Sequence, residues 1–357
     1  MMRWFRYVLI LGLAHGVADG ATGYLLGYLP DKMVTLQVGL LVLLFNGLAF
    51  GSQPLVGLFA DRIKRPSLVA IAGLLLHALG ILSFHWQPAV AVTLAGMGSA
   101  AFHVGGGALA VRATNGRATG PGIFAAPGVI GVAAGGALAI TGQSVGWLFL
   151  IFLLILAAAI WLLPQPALPY GRQPQNNDPD HLFEGHDAVM LLLLLAIALR
   201  SVVWTTFQFL LQGEVNILLL LGLAAAIGKV VGGVMGDWIG WRRWAFSALI
   251  GASVLLTWAE DSVAALAVGL ALLQSATPIA LAATAQLIPG KPAFASGLAL
   301  GFAIALGGLP PMMGLSPRMG APPGVIVVGV ATAVVLWAAL TRSSEIGRGM
   351  SKQWRLP

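Results

Sequence analysis

The stretch Gly57-Leu58-Phe59-Ala60-Asp61-Arg62-Ile63-Lys64-Arg65 returns, in looser form, as Gly233-Val234-Met235-Gly236-Asp237-Trp238-Ile239-Gly240-Trp241-Arg242-Arg243. The Gly-to-Asp spacing is the same in both, and Gly57 and Gly233 stand 176 residues apart in a chain of 357. Each copy closes an apolar run and opens onto a cluster of cations. A second pair behaves alike: Gly122 through Gly135-Gly136 is answered by Gly297 through Gly307-Gly308. A duplication of this length divides the chain into two related halves before any element is assigned.

Working outward from the repeat, residues 33–60, 66–111, 118–171, 262–290 and 319–341 contain no Asp, Glu, Lys or Arg. A bilayer core of roughly 30 Å is crossed by a helix of about 20 apolar residues. The runs 66–111 and 118–171 therefore hold two crossings each, with turns at His85-Trp86-Gln87-Pro88 and Thr141-Gly142-Gln143. Twelve helices are expected, over 6–29, 33–60, 67–86, 88–111, 118–140, 144–163, 187–211, 215–236, 244–259, 262–287, 291–315 and 322–341. The fold class is an all-α polytopic membrane protein. Its expected organisation is a six-helix bundle over 1–163, a linker over 164–186, a second bundle over 187–342 and a tail over 343–357.

Loop charge tests that count, because cytoplasmic loops are enriched in Lys and Arg. With the N-terminus inside, the cytoplasmic side holds Arg3, Arg6, Arg62, Lys64, Arg65, Arg112, Arg117, Arg172, Arg242, Arg243, Lys291, Arg342, Arg348, Lys352 and Arg355, and the outside holds Lys32 and Arg318. One missed helix would invert every later loop. Both termini are thus expected in the cytoplasm, with the chain a multi-pass protein of the cell membrane. The first apolar run is too long for a secretory signal, and His15 and Asp19 interrupt it.

Composition excludes other classes. Only 9% of residues are charged, 58% are hydrophobic and the mean hydropathy is +0.91, whereas a soluble domain carries about 25% charged residues. The net charge of +7 is dispersed between apolar segments, which argues against nucleic acid as a partner. There is no cysteine, no phosphate-binding Gly-Lys-Ser/Thr loop, no His-Glu-x-x-His and no Gly-x-Ser-x-Gly, so no enzyme, cofactor or metal is expected.

The Gly57 to Arg65 stretch resembles the loop signature of major facilitator transporters, whose parallel six-helix repeats are related by an axis along the membrane normal. Three further segments resemble the fosmidomycin-resistance branch of drug/proton antiporters: Ser99-Ala100-Ala101-Phe102-His103-Val104-Gly105-Gly106, Leu199-Arg200-Ser201, and Ala295-Ser296-Gly297 through Gly307-Gly308. Gly122, Gly131, Gly135 and Gly136 resemble an antiporter motif, with Gly136 where that motif has Pro. Read without the resemblance, those glycines permit close helix packing. The resemblance implies that helices 1, 4, 7 and 10 line a central cavity. It also implies that Asp61 and Arg62, and Asp237 in the second half, latch the cytoplasmic side in the outward-facing state.

Ionisable groups inside a span are costly and mark function by default. Asp19 is the only carboxylate deep in an expected helix, and Arg200 lies at a similar depth in helix 7. His15 shares a helix face with Asp19, four residues on, so the pair can pass a proton. Lys229 adds a second cation unless it snorkels to the interface. His103, Asn46, Gln53, Trp204, Gln208 and Gln274 are candidates to line the cavity, and His77 and His85 read as structural. Asp61 at a helix end can accept from a neighbouring helix N-terminus, and Arg62 and Arg65 can pair across the halves.

The expected activity is proton-coupled efflux of a small anionic or amphiphilic solute, with Asp19 attracted to Arg200 until protonated. An uptake symporter is the alternative within the class. A channel or a non-transporting receptor or scaffold are the alternatives outside it. The expected partners are the solute, protons and membrane lipid, with the monomer as the functional unit.

Overall fold

The computed structural model describes residues 2–164, 166, 186–211, 215–259, 261–288 and 290–353. Nearly all of the expected linker, with Arg172, and the last residues of the expected tail, with Arg355, lie outside these. Twelve helices occupy the described residues: α1 Met2–Gly27, α2 Thr35–Ile63, α3 Pro66–Ser83, α4 Pro88–Ala113, α5 Thr119–Ile140, α6 Gly146–Leu162, α7 His186–Leu210, α8 Val215–Ile239, α9 Trp241–Leu256, α10 Val263–Leu287, α11 Pro292–Gly320 and α12 Pro322–Gln353.

Ten of them are long and apolar enough to cross a bilayer; α6 has 17 residues and α9 has 16. Proline opens α3, α4, α11 and α12, where its missing N–H costs no hydrogen bond. Gly240, at φ 106°, turns the chain between α8 and α9 and lets α9 begin three residues before the expected 244. The last helix runs through Gln353, past the expected end at 341.

The same packings occur in both halves. Helix α1 lies against α5 and α6, α4 against α2 and α3, and α3 against α6; correspondingly α7 lies against α11 and α12, α10 against α8 and α9, and α9 against α12. Two main apolar cores result, one built largely from α1 to α6 and one from α7 to α12. Close approach of α1 and α5 requires the absence of side chains: a methyl at Gly131 or Gly135 would collide with the carbonyl oxygen of Gly16 or Gly20. In the second half, a methyl at Gly307 of α11 would likewise meet the Ala198 carbonyl of α7. Leu, Val, Ile and Trp side chains cover the outside of the bundle, as a lipid-facing surface requires.

The halves meet chiefly through two helix pairs, α5 with α8 and α2 with α11, with smaller contacts of α4 on α11 and α5 on α10. The first pair stays in contact along its length, from Gly122 beside Lys229 to Gly222 beside Val129. The second is broken by π-helical turns at Gly47–Gly51 in α2 and at Leu298–Phe302 and Pro311–Leu315 in α11. It closes only on the proximal face, where α1 begins. There Gly297 and Gly301 abut Gln53, whereas no atom of the described residues lies within 4 Å of the place a methyl would take at Gly39, Gly47, Gly308 or Gly314.

Candidate functional site

Glycines draw α1 against α5, and this places one face of α1 beside α4. His15, His103 and Asp19 converge there. His15 Nε2 lies 2.9 Å from His103 Nε2 and 3.2 Å from Asp19 Oδ2, and His103 Nε2 lies 3.8 Å from Asp19 Oδ1. Both imidazoles are buried. Each is held at its other nitrogen: His15 Nδ1 donates to the Phe124 carbonyl at 2.9 Å, and His103 Nδ1 to the Ser99 carbonyl at 2.8 Å.

A backbone carbonyl can only accept, so both Nδ1 atoms carry hydrogen. In neutral rings both Nε2 atoms then present lone pairs to each other and to a carboxylate. Three acceptors in mutual contact repel, and leaving buried acceptors unsatisfied costs about 1–3 kcal/mol each. The arrangement closes when one cation enters it, and a single proton on either Nε2 is sufficient.

The second half has the opposite polarity. Buried Arg200 of α7 donates through one terminal nitrogen to Gln274 Oε1 of α10 at 2.9 Å and through the other to Ser201 Oγ at 3.0 Å. Thr277 also donates to Gln274 Oε1, at 3.1 Å. Arg200 Nε is buried without an acceptor among the described residues. No carboxylate lies within 4 Å of Arg200 among the described residues; the ion pairs found there are the two that link Asp19 to the histidines.

The expected Asp19–Arg200 attraction is therefore replaced by two separate polar centres. Lys229 Nζ donates 3.2 Å to the Ala125 carbonyl of α5, so it crosses between halves rather than snorkelling outward. Ala125 adjoins Phe124, the acceptor for His15, and both carbonyls sit just before Pro127, which interrupts the hydrogen bonding of α5.

Other expected cavity residues lie elsewhere. Asn46 donates to its own helix at Val42, and Gln53 donates to Ala49 while packed between α2 and α11, so Gln53 belongs to the closure rather than to the cavity wall. Trp204 packs against the second core, and Gln208 is half-buried. His77 bonds Gly73 and Thr22 within the first half. Ser99, Ser201, Thr277 and Thr119 were not expected at the site. Their positions relative to His103, Arg200, Gln274 and Asp237 carry a local signal only for the first three.

On the proximal face, Asp61 Oδ1 accepts from Ala293 N–H at 3.1 Å and Oδ2 from Phe294 N–H at 2.8 Å, which caps α11. Asp237 does the reciprocal at α5: it accepts from Ala118 N–H at 3.0 Å, Thr119 N–H at 2.9 Å, the Thr119 hydroxyl at 2.5 Å and Trp241 Nε1 at 2.9 Å. Gly57 and Gly233 let these contacts form, since a methyl on either would strike the backbone of 293–294 or 118–119. Each half thus caps a helix of the other. Arg62 and Arg65 are exposed and, contrary to expectation, form no ion pair across the halves among the described residues.

A family model of the Major Facilitator Superfamily matches residues 8–310. The chain belongs to the Major Facilitator Superfamily. It is a multi-pass membrane transporter and not an enzyme. The fosmidomycin resistance protein of Escherichia coli (strain K12) is 27% identical over 337 residues, covering 82% of this chain and 81% of that protein. Among solved structures, the E. coli fucose:proton symporter FucP superposes with a TM-score of 0.72 at 15% identity, covering 96% of this chain and 99% of that one. The human organic anion transporter MFSD10 (TETRAN) gives 0.68 at 15% identity, covering 96% of this chain and all of that one. These structures bear on the fold alone.

Proposed function

We propose that this transporter exports a small anionic or amphiphilic solute in exchange for protons, by alternating access between bundles 1–163 and 187–342. The observation that carries the reading is the division of polar groups. Acceptors converge on α1 and α4, while Arg200 and Lys229 place two cations with no carboxylate within 4 Å, among the described residues, in the second half and at the seam. A buried guanidinium with an unfilled N–H suits an anionic group of the solute. The three-acceptor ring suits one proton. The E. coli relative named for fosmidomycin resistance favours efflux.

In this reading the proximal face is cytoplasmic, the Asp61 and Asp237 caps hold it shut, and the monomer acts alone in the inner membrane. Proteoliposomes loaded with a radiolabelled anionic probe test the coupling. Antiport predicts that an inwardly directed proton gradient drives probe out and that the probe's efflux carries protons in. Probe and protons moving in the same direction would make the protein a symporter. Counterflow absent for every anion tried would remove the transport reading.

A further inference from the structure

We propose that His15, Asp19 and His103 form a site for a divalent transition-metal ion of the zinc class. Two imidazoles and one carboxylate, with no thiolate in the chain, are the donor set of borderline divalent ions rather than of copper(I) or calcium. A tetrahedral ion with bonds of about 2.0–2.1 Å holds its ligand atoms about 3.3 Å apart. The two imidazole nitrogens lie 2.9 Å apart, and the carboxylate offers Oδ2 at 3.2 Å from one and Oδ1 at 3.8 Å from the other, so an ion reaches both nitrogens and the carboxylate with small side-chain shifts.

The outer contacts are also those a metal site needs. Both histidines donate Nδ1–H to backbone carbonyls, which fixes the tautomer that turns each Nε2 lone pair inward. The carbonyls belong to α4 and α5, so the ligands are positioned by three packed helices. On the α5 wall the ring meets Gly128, where a methyl would lie 2.5 Å from His15 Nε2 and 2.7 Å from Asp19 Oδ2. The carboxylate edge is the accessible one, at 18% exposure against 5% and 10% for the two histidines. That edge leaves a fourth position for water or an anionic oxygen.

A proton gives the ring net charge zero, whereas a divalent ion gives it one positive charge and occupies the same lone pairs. Zinc and proton therefore exclude one another. That consequence rests on the proton exchange proposed above, but metal binding itself does not.

The test uses the full chain in detergent, purified on a tag without histidine and stripped with chelator. Titration with Co2+ should give the visible absorption of a four-coordinate ion, saturating at one equivalent and bleached by Zn2+. Asp19→Asn and His103→Gln should each weaken Zn2+ binding by at least about 100-fold, beyond the 10- to 100-fold typical of outer-shell changes, whereas His85→Gln should leave it unchanged. Saturable binding that survives both ring substitutions, or none in the wild-type chain, overturns the site. If His103→Gln does not fold, Asp19→Asn decides. In proteoliposomes, Zn2+ should block proton-driven efflux and chelator should restore it. Stoichiometric binding with undiminished efflux would leave the site standing and sink the proton role of this ring.

Discussion

The two halves share a fold and invert its chemistry. In the first half, α1 and α4 bring together groups that can only accept once their outer nitrogens are committed. In the second half, α7 and α10 bring together a guanidinium and the amide and hydroxyl that receive it. Each centre is hydrogen-bonded inside its own bundle, and Lys229 on Ala125 is the polar link between them near the middle of the molecule. A duplicated scaffold thus separates two tasks, holding a cation and holding an anion, that a single centre would neutralise.

The comparison breaks first at its two centres. In Asp19→Asn the amide nitrogen, at the place of Oδ2, can donate to His15 Nε2, which removes the charge and relieves the closest carboxylate contact without a proton. We expect solute counterflow to persist while flux driven by a proton gradient falls at least about 100-fold, the scale of losing a positioned proton carrier. Arg200→Gln should do the reverse. It removes the charge and leaves Gln274 a neutral partner, so counterflow of an anion should itself fall by roughly 10- to 100-fold, equivalent to one charge-assisted hydrogen bond of about 1.5–3 kcal/mol. If both substitutions abolish both measurements equally, the division of labour is wrong.

Much of this was legible in the chain. The repeat at Gly57 and Gly233, the charge-free runs and the Lys/Arg bias fixed twelve helices, because hydrophobic thickness constrains length and duplication constrains order. Asp19, His15 and Arg200 stood out because an ionisable group in a span is rare. Their partners were less visible. His103 lies 88 positions from His15 and Gln274 lies 74 from Arg200. Spacing along one helix places Asp19 beside His15, but only the crossing of α1 with α4 sets the ring. The misplacement of Gln53 has a similar cause. Nothing in its own helix marks it for the seam, yet beyond the π turn at Gly47–Gly51 it packs against Gly297 and Gly301 of α11. Arg62 and Arg65 find no ion-pair partner across the halves among the described residues, where the reciprocal caps take Asp61 and Asp237.

Those caps offer a smaller contrast. Asp61 accepts from two backbone amides in a buried seam, whereas Asp237 is more exposed and adds the Thr119 hydroxyl and the Trp241 indole. Asparagine at 61 turns an N–H toward donors with nothing to accept it. At 237 the Thr119 hydroxyl can reverse and accept from the new amide. Losing a helix cap costs about 0.5–2 kcal/mol, so Asp61→Asn should shift the population open at the proximal face by up to about 30-fold, and Asp237→Asn by less. Single cysteines introduced beside each cap, in a chain that has none of its own, would report this as labelling rate. Equal rates in the two variants would mean that the seams are energetically equivalent despite their different partners.

The smallest expected effect lies in the paired glycines. Gly135 and Gly307 each face a carbonyl that excludes any side chain, yet their neighbours do not: among the described residues the nearest atom to a methyl added at Gly136 is Gly23 O at 3.8 Å, and none lies within 4 Å of one at Gly308. Glycine inside a helix costs about 0.8–1.0 kcal/mol relative to alanine. Gly136→Ala and Gly308→Ala should therefore each raise the thermal unfolding midpoint slightly, while Gly135→Ala and Gly307→Ala should lower it well beyond that margin. A fall in either of the first pair would indicate that the transporter brings a second helix against that position in another state. The freedom to close over Gly308 would then belong to the cycle of the α2–α11 seam, whose distal end is parted here.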